Sequence, residues 1–266
     1  MMQKYSFFLF ISFYFTSINF SVGQPLIDYN WNDHRLSLAG SFAFWSTSQL
    51  LGKFAKSEVL DDFHEVDRNV LWKLDLVSLR RSDPRADRWS DAALYLSGMM
   101  PIALGLSQKK SHSKTVGLGL LVLHGLLLES GCTHFIKMIA ERPRPHIYLQ
   151  GESALNKPIS KNSTKSFYSG HTSSSAYFAF FTAQAFQMLY PYSPLRKYVW
   201  AGSVLLPALT GYLRVKAGKH FPTDVIVGYL VGSAWGVLLP KIHSKQKVSR
   251  VQLFSTGKGI ALRMGL

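Results

Sequence analysis

Arg214, His220 and Asp224 occupy one short stretch, with five residues between the first two and three between the last two. Pro222 suits the first turn of a helix and not its interior, so a helix is predicted to start there. His220 then lies just outside that helix. Asp224 falls in its first turn, where a carboxylate can reach back to the preceding loop as in a capping box. A carboxylate fixes the tautomer of an imidazole and makes it a better nucleophile or base. A guanidinium nearby offers a planar fork that matches phosphate oxygens. Taken alone, the stretch reads equally as a loop histidine beside a capping aspartate. Two further clusters shift that balance: Lys137 with Arg144-Pro145 after six intervening residues, and Ser169-Gly170-His171 opening an apolar run.

The order Lys-x6-Arg-Pro, Ser-Gly-His, Arg-x5-His-x3-Asp resembles the signature of the type 2 phosphatidic acid phosphatase and vanadium haloperoxidase superfamily. The resemblance covers roughly residues 90–240. Tyr168 stands where that family usually has Pro, and Leu213 where it usually has Ser. The resemblance implies that His220 attacks phosphorus and carries a phosphohistidine intermediate, with Asp224 orienting it. It implies that His171 protonates the leaving group and then activates water. Lys137, Arg144, Ser169, Gly170 and Arg214 would bind the phosphate. No metal ion or other cofactor is implied.

Elementary chemistry fits those roles. Phosphoryl transfer requires cations on the equatorial oxygens, an in-line nucleophile and a proton for the leaving oxygen. Ser169 and Gly170 precede a predicted helix whose free N–H groups and dipole favour an anion, and Gly170 lets backbone pass close to it. Arg142, Lys216 and Lys219 fall outside the matched positions and are read as charges that shape the field.

The segments that must hold these groups are mostly apolar. The chain has 266 residues, 47% of them hydrophobic, with a net charge of +15; mean hydropathy is +0.06, so polar segments separate the apolar ones. The single cysteine, Cys132, leaves no internal disulfide and no cysteine-based metal site. Basic residues punctuate hydrophobic segments and do not form a stripe interleaved with aromatics, which argues against nucleic-acid binding.

Lys4, the apolar run from Phe7 to Phe20 and Ser21-Val22-Gly23 fit a signal peptide over 1–23, with an uncleaved anchor as the alternative. Residues 24–90 read as an interfacial or extracytoplasmic helical region: 36–54 as a weak span or interface helix, then an amphipathic helix over Val59 to Leu76 and a turn at Ser82-Asp83-Pro84. Within it, Asp67, Arg68, Asp87 and Arg88 read as solvated or capping charges. Residues 91–243 would form the core, with spans at 91–106 (capped by Ser90), 115–136, 172–190, 198–213 and 222–239. Residues 244–266 form a basic tail whose alternation suits a strand or an extended chain.

Placing the basic loops at 107–114 and 190–197 and the basic tail in the cytoplasm obeys the positive-inside rule. All three phosphate-type clusters then share the opposite face. The expected fold is an all-α, multi-pass transmembrane bundle with a six-helix core, in a bacterial envelope, its site facing the periplasm or exterior.

The resulting expectation is a membrane phosphatase whose partners are membrane lipids and a phosphorylated lipid substrate, with no obligate protein partner. Phosphatidate, phosphatidylglycerol phosphate, undecaprenyl diphosphate and the phosphates of lipid A all fit. A soluble secreted acid phosphatase and a vanadate-dependent haloperoxidase are the competing enzymes of the same superfamily. A non-catalytic membrane binder or transporter with an anion pocket is the competing class, although binding alone does not need both histidines.

Overall fold

The computed structural model describes residues 25–27, 31–54, 68–108, 112–148, 160, 162–246, 251–256 and 259–264. The proposed signal peptide lies outside these residues. Two units separate: 27–243, and 1–26 together with 244–266. In the second, strand β1 (Pro25–Ile27) is ordered beside β2 (Ser244–Gln246), and β3 (Val251–Thr256) pairs antiparallel with β4 (Gly259–Met264), Val251 facing Met264.

In the unit 27–243, six α-helices are described: α1 (Trp31–Phe54), α2 (Pro84–Ser107), α3 (His112–Ala140), α4 (Gly170–Leu189), α5 (Arg196–Lys216) and α6 (Pro222–Ile242). Two of them, α3 and α6, are long and apolar enough to cross a membrane by length and composition. The five spans read from the sequence correspond to α2 to α6.

Helix α2 starts earlier than expected. Asp83 is its N-cap, accepting from the backbone N–H of Arg85 at 2.9 Å and of Ala86 at 3.3 Å, with Pro84 at the first helical position. The Asp-Pro pair read as a turn is therefore a helix start, because a capping carboxylate followed by a preset φ is the strongest local start signal present. Ser90, expected as the cap, lies inside the helix and donates to the Asp87 carbonyl at 2.6 Å.

The expected amphipathic helix over 59–76 falls partly outside the described residues; the described part is not one helix. Short 3-10 turns at Arg68–Val70 and Asp75–Arg80 replace it. The reason is tertiary: the Asp75 carboxylate, 1% exposed, is held by Arg142 and Thr223, and long-range pairing overrides helical periodicity.

Helix α1, which contains the segment 36–54, lies lengthwise against α3. A Cβ on Gly131 would meet the Phe44 ring at 2.8 Å and the Trp45 backbone at 3.3 Å, so the absent side chain is what lets the two helices approach. His34 stacks near His243 at one end, and at the other Gly52 faces the Lys165 ammonium. Its serines depress hydropathy, yet Ser37, Ser41 and Ser48 each donate back to a carbonyl of their own helix, the usual way for hydroxyls to sit in apolar surroundings. This helix, taken from the segment read as interfacial, is the sixth of the bundle.

Helices α4 and α6 form the tightest pair. Added Cβ atoms on Gly228, Gly232 and Gly236 would strike the carbonyl oxygens of Ser169, Ser173 and Tyr177 at 2.6, 2.0 and 2.7 Å. This is a small-residue seam of period four, which brings backbones together. Polar groups line the interior: Ser175 bridges Ser97 of α2 at 2.7 Å and Thr210 of α5 at 3.1 Å. Large apolar side chains such as Leu96, Ile102, Leu205, Leu209 and Leu230 face outward, each more than 45% exposed.

Helix polarity fixes which loops meet. At one end Gln108 and Ser107 bond the Tyr190 hydroxyl, at 2.6 and 3.1 Å. The opposite end gathers the start of α2, the end of α3, residues 141–148 and 162–169, the end of α5 and the start of α6.

Candidate active site

The sequence places His220 one residue before the α6 N-cap, Phe221, and the structure buries it to 2% exposure. The Asp224 carboxylate reaches back to the Phe221 N–H at 3.0 Å, the capping contact expected from the spacing. Its same oxygen lies 3.4 Å from His220 Nδ1, an ion-pair distance without hydrogen-bond alignment. Ser166 donates to it at 2.6 Å. The other oxygen is taken by Arg142. Asp224 is thus a fully buried carboxylate that accepts three hydrogen bonds and has the His220 ring as a fourth close neighbour, which holds it ionised and fixed.

With Nδ1 turned to Asp224, Nε2 of His220 carries the lone pair available to an electrophile. The His220 carbonyl is itself pinned by the Ser78 hydroxyl at 3.1 Å. Burial, then the positive charges of Lys137 and Arg144, push the His220 imidazole well below its ordinary value of 6.5; Asp224 pulls in the opposite direction. Loss of protonation favours the nucleophilic form.

The cations converge on the same end. Lys137, in the last turn of α3, donates to the carbonyls of Lys165 and Ser166 at 2.8 and 3.4 Å. Arg144 donates to the carbonyl of Lys219, beside His220, at 3.1 Å, and to that of Asn162 at 2.8 Å. Charge coupling links Lys137 to Arg144, Asp224 and Arg214. Ser169 caps α4, its hydroxyl 2.9 Å from that of Thr172, and its N–H bonds the Asp224 carbonyl at 3.0 Å, tying the two helix starts together. Gly170 opens α4 where a Cβ would lie 3.3 Å from Thr133 and 3.9 Å from the Lys137 stem. The first-turn N–H groups of α4 therefore sit beside a lysine at a positive helix end.

Arg214 and His171 occupy a second layer of contacts. Arg214 donates to Asp87 at 2.7 Å and to Ser90 at 3.2 Å. His171 Nε2 pairs with Asp91 at 2.8 Å. Lys219 bonds the other Asp87 oxygen at 3.0 Å. A continuous ionic chain therefore runs from His171 through Asp91, Arg214 and Asp87 to Lys219, the neighbour of His220. The site groups assigned from sequence are brought to one end of the bundle, His171 and Arg214 reaching the others through acids of α2. Among the described residues no group of three or more His, Cys, Asp or Glu is placed to hold a metal ion.

Several members escaped the sequence reading. Arg142 is more than a field charge: it bridges Asp75 at 2.7 Å and Asp224, donates to Thr223 at 2.7 Å, and lies 4.4 Å above the Phe221 ring. The repeated Arg-Pro at 142–145 carried the signal. A residue before proline is driven to extended backbone, and extended residues two apart project to the same side, so Arg142 accompanies Arg144 into the site. Asp75 gave no signal, because its partners are distant in sequence. Asp87, read as a solvated or capping charge, instead holds Arg214 and Lys219.

Tyr168, in place of the usual proline, is 2% exposed; its hydroxyl lies 3.1 Å from that of Thr133, which donates to the buried Glu129 at 2.9 Å.

Comparison with known proteins matches residues 118–247 to the family described as the PAP2 superfamily. No curated protein and no solved structure matches the chain.

Proposed function

Residues 118–247 belong to the PAP2 superfamily, which implies a phosphoesterase, and from that premise we propose that this chain hydrolyses a lipid phosphate through a phosphohistidine at His220. The observation that carries the reading is the buried His220–Asp224 pair under the charges of Lys137 and Arg144. In the first half-reaction Nε2 of His220 bonds to phosphorus while the bond to the alcohol oxygen breaks, and His171 gives that oxygen a proton. In the second, water bonds to phosphorus, the P–N bond breaks, and His171 takes the proton from water. Lys137, Arg144, Arg214 and the α4 N-terminus at Ser169 and Gly170 hold the equatorial oxygens.

A membrane setting is supported by the arrangement of side chains. Buried hydroxyls and glycines share the bundle interior with an apolar cluster around Leu121, Tyr177 and Phe181, while further leucines and isoleucines face out, which suits apolar surroundings. Near the site end Trp72, Val77 and Trp89 are exposed by 73%, 47% and 67%, and tryptophans favour the membrane–water boundary. The substrate is then a phosphate headgroup at that boundary with its chains beside the bundle. Basic residues of the opposite loops support a site on the extracytoplasmic side.

The test is phosphate release by the detergent-purified protein from phosphatidate and a prenyl diphosphate, against water-soluble sugar phosphates. Long-chain substrates should give the higher kcat/KM, falling as the chains are shortened. A preference for the soluble esters, with the protein recovered without detergent, would favour the secreted acid phosphatase instead.

A depressed His220 also sets the pH dependence. The neutral imidazole is the nucleophile, so its active form persists as pH falls through 6.5 and is lost only at the lower folded value. The acid limb of kcat/KM is expected well below 6.5; a limb at or above that value would contradict the burial argument.

A further inference from the structure

Helix α2 begins before the family segment, yet one of its faces points into the site. Asp87, Ser90 and Asp91 are spaced i, i+3, i+4 and therefore share a face. All three touch groups of the site: Asp87 binds Arg214 and Lys219, Ser90 accepts from Arg214, and Asp91 binds His171.

We propose that Asp91 is a positioning residue for His171, forming a second carboxylate–histidine pair that orients the acid–base imidazole as Asp224 orients the nucleophilic one. This rests on the phosphohistidine reading given above. Asp91 Oδ1 sits 2.8 Å from His171 Nε2, which leaves Nδ1 as the nitrogen that exchanges a proton with the leaving oxygen and then with water. Asp91 itself changes neither protonation nor bonding. Three charged groups face His171: Asp91 and Asp87 from α2, and Arg214 from α5. Arg214 opposes a charged imidazolium, and Asp91 offsets that opposition at direct contact. A carboxylate here thus lets His171 carry a proton beside an arginine that the phosphate requires.

The pair is half-open, with side-chain exposures of 35% for His171 and 44% for Asp91. Exposed ion pairs contribute little to folding, so Asp91→Asn should fold normally and isolate the chemical role. Its effect depends on the leaving group. An alkyl phosphate must receive a proton on departure, whereas para-nitrophenyl phosphate leaves as a weak base and needs none.

For Asp91→Asn, kcat on the alkyl ester should fall on the order of a hundredfold with little change in KM, the scale of a lost general acid. On para-nitrophenyl phosphate the pre-steady-state burst of nitrophenol, which reports the first half-reaction alone, should barely change in rate, and Asp91→Glu should recover part of the alkyl activity. Equal slowing of the first half-reaction on both esters, or an unchanged alkyl rate, would overturn the assignment. His220→Ala run in parallel keeps the readings separate. If it retains turnover, the phosphohistidine scheme fails; if it removes turnover on both esters while Asp91→Asn shows no leaving-group dependence, only the role of Asp91 fails.

Discussion

His220→Ala should abolish phosphate release, with kcat reduced on the order of 10⁴-fold or more, the scale seen when a covalent nucleophile is removed. Two features make the expectation specific. The imidazole is sealed, at 2% exposure, with Asp224 on one nitrogen, so no water or neighbouring side chain takes its geometry. Its backbone carbonyl is held by Ser78, a contact that survives truncation of the side chain. The variant should therefore remain folded, and a thermal melt close to wild type is part of the expected result. Acid-quenched wild-type protein should carry phosphate on histidine, and the variant none. Substantial turnover by the folded variant would remove the nucleophile assignment.

Arg142→Ala should damage both folding and activity. Its guanidinium stands between two carboxylates that are 1% and 0% exposed, those of Asp75 and Asp224. Truncation leaves both charges buried with fewer partners, and breaking such a pair costs roughly 3–5 kcal/mol. Asp75 keeps the Thr223 N–H and hydroxyl, and Asp224 keeps Ser166 and the Phe221 N–H, so the lower end of that range applies. Because Asp224 is one of the two, the loss also reaches His220. Arg142→Lys should recover charge but not the fork that spans two acids, giving intermediate stability. Replacing Arg142 and Asp75 together by Met and Asn should destabilise less than Arg142→Ala alone, since only one carboxylate then lacks the arginine. Denaturation midpoints and kcat read both effects; an Arg142→Ala protein as stable and as active as wild type would show that the bridge is dispensable.

What the sequence disclosed followed the range of the interactions. Pro222 and Asp224 act over three residues, so the α6 start, its cap and the setting of His220 were legible from spacing alone. Ser169, with helical periodicity after it, announced α4 in the same way. Arg142 and Asp75 lie 67 residues apart, and neither carries a local mark of the other. The acids of α2 were hidden for a different reason: Asp87 and Asp91 look like ordinary first-turn charges until α5 brings Arg214 against them. Helix α1 read ambiguously because its serines lower the hydropathy of 36–54, while their hydrogen bonds inside the helix remove the polarity that hydropathy counts.

The glycine seam between α4 and α6 acts as a ruler for the chemistry at its end. Asp224 rides on one helix and Ser169 caps the other, so their separation is set by how closely two backbones lie and by which turn faces which. Sliding by one helical turn would displace the Asp224 backbone carbonyl by about 5.4 Å, beyond reach of the Ser169 N–H it now meets at 3.0 Å. Carbonyls wedged against bare α-carbons at three successive levels resist that slide. Tilting of the helix pair as a body therefore leaves the spacing of the groups it presents unchanged.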